Sequence, residues 1–186
     1  TIGGGNVNTA SGIYSTVAGG ETNSATFPHA AVGGGRINNA TKAYATVAGG
    51  FTNTASQTAA TVAGGSNNTA SGIYSTVIAG YSNSATGDYS VACGQKSYSR
   101  LLGQFSHSAG AFSTDGDAQY VRWVLRNSTT NASPTLLYLN GTSSKITLLE
   151  DYVYSLNFKV IGTRVGGAAV SEVNTRVVVK YVSGTV

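Results

Sequence analysis

Seven carboxylates are present: Glu21, Asp88, Asp115, Asp117, Glu150, Asp151 and Glu172. Acid–base cleavage of a glycosidic bond needs two such groups held across a substrate at a defined separation. The close pairs here, Asp115 with Asp117 and Glu150 with Asp151, are sequence neighbours and read as turn and loop residues. Asp115-Gly-Asp117 offers hard oxygen ligands to a cation, but two acids without a third make a poor site. His29 and His107 stand far apart and outside any E-x-x-H pattern, so zinc is not expected. The stretches IGGGN and AVGGGR are glycine-rich, yet no Lys-Ser or Lys-Thr follows and no helix opens, which excludes a phosphate loop. Cys93 is the only cysteine, so a disulfide framework is excluded, and neither histidine lies near it in sequence. No nucleophile–base constellation emerges. The chain reads as non-enzymatic and without a cofactor.

The residues that carry no chemistry say more. Charged residues are only 10% of the 186, while Gly, Ser, Thr, Asn and Ala abound. So polar and uncharged a composition is common in disorder, because it buries too little apolar area to offset chain entropy. Here a strict period argues for folding. Residues 61–75, TVAGGSNNTASGIYS, nearly repeat residues 46–60, TVAGGFTNTASQTAA, and copies fill residues 1–90. No run of eighteen apolar residues offers a membrane span, no signal-peptide pattern opens the chain, and a start at Thr1 reads as a piece of something longer. The net charge of +4 lies in the second half: residues 1–90 balance Arg36 and Lys42 against Glu21 and Asp88. Attraction to polyanions therefore belongs to residues 91–186.

Position by position, the repeat is restrictive. Its second residue is Ile2, Val17, Val32, Val47, Val62 and Val77; its fifth is always Gly; its eighth is always Asn; its tenth is always Ala. Fifteen residues are too few for paired helices and suit one turn of a β-solenoid. Stacked coils rise about 4.8 Å, so each position becomes a column along the axis. Val and Ala columns fit inward rows, and glycines fit corners with positive φ or close backbone approach. Asn suits a left-handed turn, and its amide can bond the coils above and below. One valine and one alanine per coil bury little apolar area against the cost of ordering fifteen residues. Small residues let several chains approach closely and share a core, so the repeats are expected to need partners.

SVACG at Ser90–Gly94, with the related TVAGG units, resembles the S-V-A-I-G repeat of trimeric autotransporter adhesin heads. It is similar also to repeats in phage tail fibres and other trimeric bacterial surface fibres. The resemblance covers residues 1–113 and implies a left-handed parallel β-roll packed in threes. The chain departs from it in holding fifteen residues per coil until the last unit loses one, and in using Gly where the family often has Ile. Handedness stays open at this point, because the general preference for parallel crossovers is right-handed. The stretch GQFSHSAGAFSTDGDAQ running into VLRNSTT resembles the junction where such a roll gives way to a C-terminal β domain.

The expected fold is therefore all-β: a parallel roll of 15-residue coils over 1–89, an irregular last coil and cap over 90–117, and a small antiparallel β-sandwich over 118–186, in a homotrimer. In YVRWVLR, Val121, Trp123 and Leu125 share one face, with Arg122 and Arg126 opposite. TLLYLNG reads as a strand ending at the Asn140-Gly141 turn. Tyr152, Tyr154, Leu156, Phe158 and Val160 have one parity, and Val173, Val177, Val179 and Tyr181 form another apolar row.

By resemblance the function is attachment to a host or cell surface, through a glycan or protein receptor, on a virion tail fibre or a bacterial surface. No nucleic acid and no membrane insertion is expected. Candidate receptor-binding residues are Arg36, Phe51 and Tyr81 at the variable sixth position, and Arg122 and Arg126 in the terminal module. The alternative is an ice-binding β-solenoid. Positions nine and eleven, such as Thr9/Ser11, Thr54/Ser56 and Thr69/Ser71, form a two-column hydroxyl ladder, although Asn39 interrupts it. The same ladder serves simple strand pairing as well.

Overall fold

The computed structural model describes residues 1–126 and 136–146, together with the strands Tyr152–Thr163 and Val170–Tyr181. Residues 1–146 form one unit and residues 147–186 a second. The first is a parallel β-solenoid, and there is no helix among the described residues.

Between Thr9 and Ala70 the chain gives two-residue strands alternately to two sheets, and the strands of the longer sheet lengthen from Thr76 on. A seven-stranded sheet runs from Thr9–Ala10 through Ser84–Ala85 to Tyr98–Ser99. An eight-stranded sheet runs from Thr16–Val17 through Thr76–Tyr81, Val91–Gln95 and Phe105–Ala109 to Gln119–Arg122. The register is the sequence period itself: Thr46 pairs with Thr61, Val47 with Val62, Thr54 with Thr69 and Ala55 with Ala70. A third row of single bridges links Asn6, Glu21, Arg36, Phe51, Ser66 and Tyr81, the sixth residue of each coil.

The interior is as small as the repeat allows. Val17, Val32, Val47, Val62 and Val77 are fully buried, as are Ala25, Ala40, Ala55, Ala70 and Ala85. A third inward column, unassigned from the sequence, is position fifteen: Ser15, Ala30, Ala45, Ala60, Ser75 and Ser90. Asn23, Asn38, Asn53, Asn68 and Asn83 make the fourth.

The asparagines are satisfied by their own copies. Asn53 Oδ1 accepts the backbone N–H of Asn68 at 3.0 Å. Its Nδ2 donates to Gly49 O in its own coil and to Gly65 O in the next, both at 2.9 Å. Buried amides are tolerable only when paired, and here the pairing recurs in every coil. The left-handed turn expected at Asn lies elsewhere. It falls on the preceding residue, from Val7 (φ 52°) to Lys96 (φ 59°), and on position fourteen, from Tyr14 (φ 58°) to Tyr89 (φ 57°). The asparagines of position eight stay out of that region, although Asn67 at position seven is in it, and they turn inward to reach two glycine carbonyls.

Beyond Ser90 the coils continue while the sequence identities fade. Ser84 pairs with Tyr98 and Val91 with Phe105, so this turn has lost one residue. The chain then reverses: Gln119–Arg122 runs antiparallel to Phe105–Ala109, with Phe105 opposite Arg122 and His107 opposite Tyr120. The Gln119 side chain returns to the edge of the shorter sheet, where Tyr98 N–H donates to its Oε1 and its Nε2 donates to Tyr98 O, both at 2.8 Å. Gln104, buried at the fifteenth position, accepts from Arg100 N and Leu101 N and donates to Tyr98 O. Two glutamine side chains thus stand in for a missing strand.

Val121, Trp123 and Leu125 are half-buried while Arg122, Val124 and Arg126 are exposed, which is the expected alternation. Arg126 exchanges backbone bonds with Tyr138, and Asn140 Oδ1 accepts from the N–H groups of Thr142, Ser143 and Ser144, closing the expected turn. In the second unit, Tyr152–Thr163 and Val170–Tyr181 pair antiparallel. The register sets Tyr152 against Tyr181, Tyr154 against Val179, Leu156 against Val177 and Val160 against Val173, so the two rows of matching parity oppose one another. Glu150 and Asp151 lie outside the described residues.

Candidate binding surface

Because the interior takes only Val, Ala, Ser and Asn, every large side chain of the repeats is displaced outward. Sequence position then decides which column it joins.

The sixth position carries three of the expected receptor-binding residues. Arg36 Nε lies 3.4 Å from Glu21 Oε2, and the Arg36 guanidinium sits over the Phe51 ring, 5.7 Å from its centroid. The structure thus joins Arg36 to Phe51. Tyr81 is two coils beyond Phe51, with Ser66 between them. All three side chains are exposed. An exposed ion pair of this kind contributes little stability, and the arginine is engaged on both sides by its own column.

Arg122 and Arg126 stand at the far end. Arg122 lines a shallow groove of about 280 Å³ with Gly103, Phe105, Tyr120 and Val124. Phe105 and His107 stand on the outer face of the longer sheet where most earlier coils carry Thr, Gly or Ala, and Tyr120 and Arg122 face them from the added antiparallel strand, so large side chains gather at this end.

The fourteenth position was not anticipated as a surface. Tyr14, His29 and Tyr44 stack in series, with centroids 5.2 and 4.8 Å apart. Tyr74 and Tyr89 stack at 5.4 Å. The rings are exposed, from 80% for Tyr14 to 54% for Tyr74, so they form an aromatic ladder along one corner rather than part of a core. Phe27, with Lys42 5.0 Å above its ring, and the exposed Ile13 and Ile73 widen that corner. The signal was in the sequence: five rings of one type of shape, each fifteen residues or a multiple of fifteen apart.

The hydroxyl columns at positions nine and eleven flank the buried alanines and are half-buried through most of the roll. Tyr98 and Arg100 end them. Asp117 is used internally. Its carboxylate accepts the N–H groups of Thr114, Ser113 and Phe112 at 2.7–2.9 Å, which holds its pKa below the ordinary value, Thr114 contributing most. Burial raises the pKa of the Cys93 thiol, whose Sγ lies 3.6 Å from Ser106 O. Among the described residues, no three His, Cys, Asp or Glu side chains come together in a way that could hold a metal ion.

No protein-family model matches this chain, and no curated protein matches it either.

Proposed function

We propose that the chain is a non-enzymatic fibre segment that works as a homotrimer and attaches to a host or cell surface, as part of a phage tail fibre or a bacterial surface adhesin. The observation that carries this reading is the division of apolar residues. One valine and two or three small residues per coil fill the interior, while Ile13, Tyr14, Tyr44, Phe51, Ile73, Tyr74, Ile78 and Tyr81 are exposed on the same short roll. So many exposed large apolar side chains on a roll with so small a core favour an interaction surface, whether for a second chain or for a receptor. The resemblance of SVACG and TVAGG to trimeric fibre repeats supplies the number of chains. The C-terminal strands would complete a small antiparallel sandwich, and recognition would fall on the terminal module, where the cationic Arg122 and Arg126 face outward. In a trimer that pair appears three times, so weak contacts to an anionic glycan add through avidity.

Light scattering of the full chain in dilute buffer should give about three copies. A folded monomer would end the trimeric part of this reading. Reversing Arg122 and Arg126 to Glu should weaken attachment to cells in a salt-sensitive manner. Unchanged attachment would move recognition to the roll.

A second reading, ice binding, rests on the straight register of the hydroxyl columns. Thr54 pairs with Thr69, and Thr69 with Ser84, at one strand spacing. Thermal hysteresis in the wild type, abolished by Thr54→Tyr, would favour it. Absence of hysteresis eliminates it.

A further inference from the structure

The aromatic ladder at position fourteen has one missing rung. Tyr44 ends the first stack, Ala59 follows one coil later, and Tyr74 begins the second stack one coil after that. Backbone bonds at this corner run unbroken through the gap: Tyr44 N–H donates to Pro28 O, Ala59 N–H to Ala43 O and Tyr74 N–H to Thr58 O, at 3.0–3.1 Å. The three residues share one left-handed conformation, with φ of 61°, 54° and 56°. The coil geometry is therefore unchanged at Ala59, and only the ring is absent.

The rings beside the gap face into it. His29 and Tyr44 are coplanar within 2°, and Tyr74 and Tyr89 within 8°, each pair stacked along the coil axis. Tyr44 thus turns its second face toward the Ala59 rung from one side, and Tyr74 turns its own from the other. Two rungs at about 4.8 Å set the Tyr44 and Tyr74 rings about 9.6 Å apart, centre to centre. The native stack spaces neighbouring rings at 4.8–5.4 Å, so the gap has room for one ring and no more.

The rim selects among rings. Ala43, Gln57 and Thr58, next to these rungs in the chain, are uncharged, and Gln57 Oε1 accepts the Thr58 N–H at 3.1 Å. The nearest cation on this corner, Lys42, is turned toward Phe27, one coil in the opposite direction. Asp88, further along, accepts the Ile73 N–H. Two aromatic faces with negative π-clouds attract the weakly positive C–H faces of a sugar ring, while amide and hydroxyl groups at the edge suit its hydroxyls. A charged nucleotide would find no cation there.

We propose that Tyr44, Ala59 and Tyr74 form a slot that takes a single pyranose ring of a neutral glycan. This deepens the attachment reading and rests on it for its biological meaning. It places sugar recognition on the roll, in addition to the charged contacts at the terminal module.

The decisive variant is Ala59→Tyr. Tyrosine already adopts this left-handed conformation at Tyr14, Tyr44, Tyr74 and Tyr89, so the substitution restores a continuous ladder without new backbone strain. The probes are tetramers of β-1,4-linked glucose, β-1,4-linked N-acetylglucosamine and α-1,4-linked glucose, with phenol as a stand-in for a protein aromatic side chain. Ring proton signals of the full-length protein report binding. At least one tetramer should shift Tyr44 and Tyr74 while leaving Tyr14 unmoved. Ala59→Tyr should abolish that shift, and Tyr74→Ala should weaken binding about tenfold.

No shift with any tetramer, or an equal shift in Ala59→Tyr, overturns the proposal. So does a stronger response to phenol than to every sugar, or a change of assembly mass in Ala59→Tyr; either would make the occupant a protein ring. Cell attachment separates this from the wider reading. Wild type and Ala59→Tyr attaching equally would remove the slot and leave attachment standing. A wild type that binds the tetramers but no cells would keep the slot and remove attachment.

Discussion

In the coils between Thr16 and Gly80, each buried asparagine meets a copy of itself one turn away. Between Val91 and Arg122 the same ladder is closed by unlike groups. Asn83 Oδ1 still accepts a backbone N–H, but the donor is Ser97, and no Asn follows to continue the column. Gln119 then meets the N–H and C=O of Tyr98, and Gln104 meets Arg100, Leu101 and Tyr98. The comparison shows what a solenoid with so small a core requires. Its coherence comes from amide groups that fit only between identical coils, so its end must supply the same amides from side chains of another length. A sheet edge left without them would template pairing with another chain.

The largest effect should come from removing one amide inside the roll. Asn53→Asp keeps an acceptor for Asn68 N–H but turns an oxygen toward the carbonyls of Gly49 and Gly65, each 2.9 Å from the present Nδ2. Two lost bonds and a buried carboxylate should cost roughly 4 kcal/mol or more. Thermal unfolding at neutral pH measures it, and acid that protonates the new carboxyl should return part of the loss. A melting temperature unchanged from wild type would mean that the column does not hold the roll together.

A neighbouring pair of glycines should separate close approach from mere position in the repeat. A Cβ on Gly50 (φ 99°) would overlap the Gly65 carbonyl oxygen and lie 2.7 Å from Asn53 Nδ2. On Gly49 the nearest atom would be Gly34 O at 3.8 Å, and the sixth coil carries Ala79 at the equivalent position. Gly50→Ala should therefore destabilise by about 3 kcal/mol, from strain and overlap together. Gly49→Ala should stay within about 0.5 kcal/mol. Similar losses from both would contradict the column geometry.

These two sites also show what could be read from the sequence. The invariant Gly and Asn columns, the inward Val and Ala, and the facing parities of Tyr152–Val160 and Val173–Tyr181 are legible because one residue type, or one alternation, serves one purpose. Position fifteen was not, since it holds either Ser or Ala and neither is diagnostic of an interior. The left-handed residues were assigned to Asn, whereas the turn imposes that conformation on Val7, Thr22, Ile37 and Tyr44 alike. Identity carries no signal where backbone context sets φ. Arg36 and Phe51, proposed from their variable position, lie together in one column, whereas the stack at position fourteen was not legible as a surface although its spacing was in view. Gln119 could not have been found: its role depends on the chain doubling back across the end of the roll.

The same Asn-to-Asp chemistry, moved to the cap, should cost much less. Gln119→Glu loses the Nε2 bond to Tyr98 O but keeps an acceptor for Tyr98 N–H, in a side chain that water partly reaches. About 1–2 kcal/mol is expected. The more telling readout is association, because a loosened Tyr98–Ser99 edge exposes unpaired backbone. Concentration-dependent growth in mass, seen for Gln119→Glu and absent in the wild type, would support the capping role. A Gln119→Glu protein as stable as wild type and equally monodisperse would remove it.

The smallest effect should distinguish the two regions by their response to acid. The roll between Thr16 and Gly80 is held by neutral amides, so its ladder has no titrating member. The turn at Phe112–Asp117 is held by a carboxylate that accepts the N–H groups of Thr114, Ser113 and Phe112. Those bonds favour the ionised form and depress the Asp117 pKa in the folded chain. Their contribution is complete above the unfolded value of about 3.9 and is lost as pH falls through the lower folded value. Hydrogen exchange at the three amides should therefore stay slow through mild acid and quicken only below the ordinary carboxylate range. Over the same interval the amides of Asn38, Asn53 and Asn68 should be unaffected, since each bonds only to the oxygen of another asparagine. Asp117→Asn should remove the pH dependence and leave the turn weaker at neutral pH, because a neutral amide oxygen accepts less strongly than a carboxylate. If the Phe112–Thr114 amides open at or above the ordinary aspartate range, the carboxylate does not govern this turn. If the asparagine column opens with them, the cap and the roll form one cooperative unit.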